Sequence, residues 1–204
     1  MSKLYTVGKF VLSPLIKLVF NLKVINKDGF PLDETVIVAS NHTSNWDPVL
    51  LGAVCKKQLY FMAKAELFKF KPLGYIIKKL GAFPVNRGRR DNNATKSVYE
   101  TIEKGHTLAI FPQGTRMPRK EDASDAKSGV ALFAATSDTA VLPVYVHNKK
   151  GRVRIFSRNT IVFGEVIPAS EFKGENGTVL EYREKAEGLM KTIFSLKERI
   201  TKKK

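Results

Sequence analysis

The sequence predicts an α/β fold, a mainly parallel central sheet covered by helices and preceded by an N-terminal amphipathic helical element. Two observations carry this. Short apolar runs suited to buried strands alternate along the chain with segments of helical period, the pattern of a parallel sheet with helices on its faces. The chain has 204 residues, of which 43% are hydrophobic, enough to fill one α/β domain rather than two.

The elements follow in order. Leu4, Val7, Val11, Leu15, Leu18 and Leu22 recur at steps of three or four, so they share one side of a helix, with Lys9, Ser13, Lys17 and Asn21 opposite. Ser13-Pro14 reads as an N-cap and first-turn proline that splits the stretch into two short helices. Residues 1–25 are therefore expected to be amphipathic helices, and residues 26–204 the α/β domain. Such a stretch either lies in a membrane interface or packs on the core as an ordinary surface helix. Val36 to Ala39 reads as a buried strand, followed by a polar loop and a helix from Pro48 to about Cys55. Strands at Leu59 to Met62, Ala82 to Val85 and Thr107 to Phe111 are separated by helical segments, to about Leu80 and then Asn92 to Glu103. A helix after Ser128 precedes strands at Ala140 to Tyr145, Val153 to Phe156 and Thr160 to Phe163. Pro143 marks the first of these as an edge strand or a strand beginning. Leu189, Ile193, Leu196 and Ile200 repeat at four, three and four, marking a closing helix.

Composition narrows the function classes. Thirty-five Lys and Arg against 19 Asp and Glu leave a net charge of +16, which points to a polyanionic partner: nucleic acid, an anionic bilayer, a phosphorylated substrate or an acidic carrier protein. The single cysteine, Cys55, excludes an internal disulfide framework and a multi-cysteine zinc site, and favours a reducing compartment. His42, His106 and His147 lack metal-ligand spacing. No run approaches the roughly 20 apolar residues of a spanning helix, and no signal-peptide pattern is present, so the protein is expected inside the cell.

In parallel sheets, sites form at the carboxyl ends of strands. The strand ending at Ala39 delivers the loop Ser40-Asn41-His42-Thr43-Ser44-Asn45-Trp46-Asp47-Pro48. If it folds back, the Asp47 carboxylate meets one imidazole nitrogen of His42 and leaves the other to accept a proton. That is the base and orienter of a hydrolase triad without an evident serine or cysteine nucleophile. The same residues equally fit a plain helix cap at Asp47 and an ordinary loop histidine. Gly81 to Arg87 and Phe111 to Arg116 each end a strand with a cation, and Gly114 permits a sharp turn whose backbone amides face an anion. Paired arginines suit a bidentate grip on phosphate. Cys55 sits in an apolar run and reads as a buried residue rather than a nucleophile, and His106 and His147 as structural or exposed. The clusters Arg87, Arg89, Arg90 and Lys149, Lys150, Arg152, Arg154, Arg158 are either solvated faces or contacts to anionic lipid or an acidic donor.

Taken in order from about residue 30 to about 165, these segments resemble the glycerolipid acyltransferase family. His42 to Asp47 matches its His-x4-Asp signature, Gly81 to Arg87 its second block, Phe111 to Arg116 its third and Val141 to Tyr145 its fourth. Gln113 stands where the family usually has glutamate; it keeps hydrogen-bonding capacity but cannot act as a base.

The resemblance implies transfer of a fatty acyl chain from a thioester to the sn-2 hydroxyl of a 1-acylglycerol 3-phosphate, giving phosphatidic acid without an acyl-enzyme. His42 is then the general base and Asp47 its orienter, while Lys64, Arg87, Gly114, Thr115 and Arg116 hold the acceptor phosphate and Gln113 neighbours the acceptor. No cofactor or metal is implied; acyl carrier protein or coenzyme A enters as the thioester co-substrate. The implied partners are lysophosphatidate, that thioester and an anionic membrane surface at the cytoplasmic face. With Gln113 in the third block, the nearer alternative is the same reaction on another lysophospholipid. A basic module binding nucleic acid is the rival from another class, but the sequence shows no helix-turn-helix, aromatic RNP pattern or zinc knuckle, and no nucleic acid is expected.

Overall fold

The run Val36-Ile37-Val38-Ala39-Ser40 is buried at every position, as expected of a strand covered on both faces; it is the middle strand of a seven-stranded sheet. The structure, a computed structural model, describes residues 3–31, 33–86 and 91–201. Along them run α1 (Lys3–Val19), β1 (Leu22–Ile25), β2 (Val36–Ser40), α2 (Asp47–Val54), β3 (Leu59–Lys64), α3 (Lys71–Lys79), β4 (Ala82–Val85), α4 (Asn92–Glu103), β5 (Thr107–Ile110), α5 (Gly129–Thr136), β6 (Ala140–Asn148), β7 (Asn159–Phe163), α6 (Val179–Ser195) and α7 (Glu198–Thr201). The sheet order is β1-β7-β6-β2-β5-β3-β4. Strands β2 to β6 run one way. Strand β7 is antiparallel to β6 and β1 is parallel to β7, so these two run back.

Alternation along the strands divides the core. Ile37, Ala39, Leu108, Ile110 and Tyr145 face α4, α5 and α6, meeting Val98, Val130 and Met190. Val36, Val38, Ala109, Leu142 and Val144 face the other way, onto Phe20, Leu50, Leu51 and Val54. The connections β2-α2-β3 and β3-α3-β4 step the same way across the sheet, and right-handed crossovers put α2 and α3 on one face; β4-α4-β5 steps back, onto the other.

Four local expectations are corrected. Helix α1 continues through Pro14 instead of splitting there. It is tied down on both sides of the proline: Tyr5 Oη donates to Gly52 O and Lys9 Nζ to the Cys55 carbonyl, while Ile16 and Val19 pack on the core. The proline's missing N–H orphans the carbonyl of Phe10, whose side chain lies on the open side of the helix. Residues 22–25 are a strand, not helix: Asn21, at φ 41°, turns the chain and Leu22–Ile25 adds to the sheet edge along β7. Residues 153–156 are not a strand either. The loop between β6 and β7 is held by side chains, with Asn148 Nδ2 donating to Asn159 Oδ1 and Asn159 Nδ2 to the carbonyls of Arg154 and Ser157.

Finally, β6 is an interior strand although it contains Pro143. Its ladder with β7 starts only at Val144, and Val141 pairs beyond the end of β7 with Ile167. The proline, lacking a donor, falls in the gap, where its carbonyl accepts from Gly164 N–H at 2.8 Å. A Cβ on Gly164 would lie 2.7 Å from Pro143 Cγ. Gly164→Ala should therefore lower unfolding stability by about 1–3 kcal/mol through overpacking, measured by urea denaturation.

Candidate active site

Because β2, β3, β4 and β5 are parallel neighbours, their carboxyl ends share one edge of the sheet. His42 follows β2, Lys64 ends β3 and Gln113 to Arg116 follow β5. Arg87 would follow β4 but lies outside the described residues, as do Arg89 and Arg90.

At the centre, His42 Nδ1 lies 2.8 Å from Asp47 Oδ2. Asp47 is fully buried and His42 only 6% exposed. The carboxylate also accepts the backbone N–H groups of Thr43 and Ser44 at 2.5 and 2.7 Å, and the Thr43 hydroxyl at 3.1 Å. Ringed by donors, it accepts a hydrogen bond from Nδ1–H, which leaves the lone pair on Nε2. Asp47 is not the helix cap anticipated from the sequence: Trp46 occupies that position, and Asp47 is the first helical residue with its carboxylate folded back over the loop.

The imidazole is fixed from three sides. Its ring stacks on Phe111 with centroids 4.1 Å apart. The His42 backbone N–H donates to Gln113 Oε1 at 2.9 Å, and its carbonyl accepts from Met117 N–H at 2.8 Å. Gln113 is thus a buried brace of the base, and its Nε2 has no hydrogen-bond partner among the described residues. Glutamine at the usual glutamate position still supplies the accepting oxygen this brace needs. The bracing by Phe111 and Met117 was not read from the sequence; a strand-end phenylalanine and a loop methionine carry no distinctive spacing.

The anticipated phosphate ligands are distributed as follows. Gly114 takes φ +67°, but its N–H closes a turn onto the Phe111 carbonyl at 2.9 Å rather than facing an anion. Thr115 and Arg116 are exposed. Lys64 Nζ is exposed and lies 3.3 Å from Glu66 Oε1. Across the sheet, His106 stacks on Tyr60 at 4.5 Å, and burial lowers its pKa. Among the described residues no cluster of three His, Cys, Asp or Glu could hold a metal ion.

Helix α1 reaches this site. Phe20, just past its end, packs its ring against Trp46 at 5.2 Å, and Phe156 N–H donates to Val19 O at 2.8 Å. The helix presents Tyr5, Lys9 and Ile16 to the body, while Phe10, Val11, Leu15 and Leu18 point away from it, 54–83% exposed; Phe156 is 83% exposed beside them. Among the described residues no helix is long and apolar enough to cross a membrane.

A protein-family profile described as Acyltransferase matches residues 21–147. The chain is 29% identical over 164 residues to 1-acyl-sn-glycerol-3-phosphate acyltransferase of Bacillus subtilis, spanning 79% of this chain and 81% of that protein. It is 33% identical over 161 residues to the Streptococcus pneumoniae protein of the same description, covering 76% of this chain and 59% of the relative. A lyso-ornithine lipid O-acyltransferase of Pseudomonas aeruginosa is 32% identical over 121 residues, 59% of this chain and 46% of that one. The fold is shared with the crystal structure of the 1-acyl-sn-glycerophosphate acyltransferase of Thermotoga maritima, with a TM-score of 0.68 at 22% identity over 97% of this chain and 83% of the other.

Cys55 is fully buried, and burial pushes its thiol up to about 12. At pH 8 the thiolate fraction is then about 10⁻⁴, so a thiol reagent such as DTNB should fail to react with the native protein and react with one equivalent after denaturation.

Proposed function

The chain belongs to the Acyltransferase family, and on that premise we propose that it moves a fatty acyl chain from an acyl thioester to the sn-2 hydroxyl of 1-acylglycerol 3-phosphate, forming phosphatidic acid. The observation that carries this reading is the buried 2.8 Å contact of His42 Nδ1 with Asp47, which leaves Nε2 as an oriented base. Nε2 takes the proton of the acceptor hydroxyl as its oxygen attacks the thioester carbonyl. Collapse of the tetrahedral intermediate breaks the carbon–sulfur bond, and the proton on Nε2 passes to the departing thiolate. An ester and a thiol result, with no acyl-enzyme; the buried, protonated Cys55 is unsuited to a nucleophile's role.

The acceptor phosphate is assigned to Arg116 and Lys64, with Arg87 and Thr115 as further members of that site; Gly114 contributes the turn that presents Thr115 and Arg116, and Gln113 holds the His42 backbone. Acyl carrier protein or coenzyme A supplies the thioester, and no other cofactor takes part. The outward stripe of α1 supports a peripheral seat at the cytoplasmic face of an anionic membrane, with Val11, Leu15 and Leu18 in the acyl boundary and lysines near headgroups. Helix α1 then provides membrane association, while Leu22–Ile25, a strand of the sheet, belongs with the catalytic domain.

His42→Ala should reduce kcat about 10²–10⁴-fold, the usual worth of a general base. Asp47→Asn should cost a similar factor, because an amide that donates to Nδ1 holds the wrong tautomer. Arg116→Ala should raise the KM for the phosphate-bearing acceptor about tenfold or more. Near-normal turnover in folded His42→Ala protein overturns the mechanism, and mass analysis of products from a panel that includes lyso-ornithine lipid decides the acceptor. In sedimentation with vesicles containing anionic lipid, Leu15→Asp/Leu18→Asp protein should stay in the supernatant while the parent pellets.

A further inference from the structure

We infer that a cationic cleft beside the His42 loop, on the face of the sheet away from α1 and α2, receives the phosphate of the donor's pantetheine arm. This rests on the thioester reading above. The cleft has a volume of about 550 Å³, and its lining includes Asn41, Thr43, Arg119, Tyr145, Lys149 and Lys150. Asn41 and Thr43 flank His42 in sequence, and the Thr43 hydroxyl bonds Asp47, so the cleft abuts the base and its orienter. Tyr145 belongs to the core under α5 and α6, whereas the Phe111 ring on which His42 stacks packs against the core under α1 and α2. The cleft and the imidazole therefore lie on opposite faces of one loop.

Its charge is not cancelled from within. Lys197 pairs with Glu121, and Lys120 with Asp122 and Asp125. Glu121 stays ionised: partial burial works against it, but bonds from Tyr145 and Lys197 hold its carboxyl below the usual range. His147, pushed down by burial and by Lys197, adds no charge at neutral pH. Arg119, Lys149 and Lys150 have no carboxylate within ion-pair distance among the described residues, leaving three cations for an anion.

The arrangement is built at a cost. Arg119 sits at φ +66°, a region that non-glycine residues rarely adopt, and its N–H bonds the Gly151 carbonyl at 2.9 Å. Gly151, at φ +74°, permits this approach, since a Cβ there would lie 2.4 Å from Arg119 Cγ. Asn148 Oδ1 pins the same turn through Lys150 N–H at 2.8 Å. Position along the sheet assigns the ligand to the donor. The acceptor cations Lys64 and Arg116 follow β3 and β5, on one side of β2; Lys149 and Lys150 follow β6, on the other, and the β5 loop crosses to them at Arg119, whose N–H bonds the Gly151 carbonyl. Each substrate then approaches His42 from its own side. Acyl carrier protein and coenzyme A share the phosphopantetheine arm, so its phosphate is the common ligand.

The test uses Arg119→Gln/Lys149→Gln/Lys150→Gln protein, with Lys185→Gln/Lys191→Gln as a control for lost charge on exposed α6 positions. Calorimetric titration with 4′-phosphopantetheine and with pantetheine should show the parent binding the phosphate form more tightly, and the triple variant losing that preference. In turnover, the KM for acyl-coenzyme A and acyl carrier protein should rise about tenfold or more, with kcat and the KM values for acyl-pantetheine and acceptor within twofold. A rise with just one phosphate-bearing donor supports the assignment and identifies the source. An equal rise with acyl-pantetheine, no rise with any donor, or a parent that binds both arms alike overturns it. A parent that binds phosphopantetheine selectively yet transfers no acyl group would instead refute the catalytic reading and leave the site standing.

Discussion

A buried carboxylate must find partners for its lone pairs, and at Asp47 this requirement organises the whole catalytic edge. Its oxygens are met by His42, by two consecutive backbone N–H groups and by the Thr43 hydroxyl. These bonds pull a polar loop, which would otherwise have many conformations, into one. Position at the first residue of α2 adds the favourable end of the helix dipole. Other segments then seat on that loop. The β5 loop clamps the His42 backbone through Gln113 and Met117, the β6–β7 loop reaches Thr43 Oγ1 through Val153 N–H at 3.4 Å, and the end of α1 meets Trp46. Removing one carboxylate would therefore loosen three elements far apart in sequence.

Much of this was legible in the chain. Strands such as Val36–Ser40 and Ala82–Val85 and the helix Asn92–Glu103 are written in periodicity, with Asp91 capping the last of these through Ala94 N–H. The strand-to-loop position of His42 and Asp47 followed from the carboxyl-end rule. What escaped depended on partners distant in sequence. Leu22–Ile25 fits a helical stripe by spacing, and β7 recruits it as a strand. Pro143 argues for an edge until Gly164 and Ile167 are seen to frame a gap in the ladder. The resemblance places Gln113 beside the acceptor; that its Oε1 also accepts from the His42 amide depends on a partner 71 residues away and is not visible in spacing. The β6–β7 loop cations fit either a solvated face or a contact to anionic lipid or an acidic donor by sequence; the bond of Arg119 N–H to Gly151 and the shape of the cleft single out Lys149 and Lys150 among them.

The surplus of 16 positive charges also acquires a distribution. Many of these cations sit on loops at the carboxyl edge or on α1 and α3, while the apolar stripe of α1 faces outward on the face with α2. Helix α3, on the same face by handedness, exposes Phe70, Tyr75 and Ile76 between lysines. Screening weakens such charges beyond about 8 Å in physiological salt, so they act at contact range, on headgroups and phosphates touching the edge.

The reversed direction of β1 and β7 has a kinetic meaning. Because β1 begins at the catalytic edge, the end of α1 is joined to the sheet through Phe20 and Asn21 alone, with no tether between helix and site. With α1 lying in an interface as proposed, the base is held at a set height above the lipid. An acceptor then meets it by lateral diffusion within the leaflet, and the concentration that governs its capture is a mole fraction in two dimensions. Diluting the acceptor with inert lipid would slow such a reaction even when the amount of acceptor per volume of solution is unchanged.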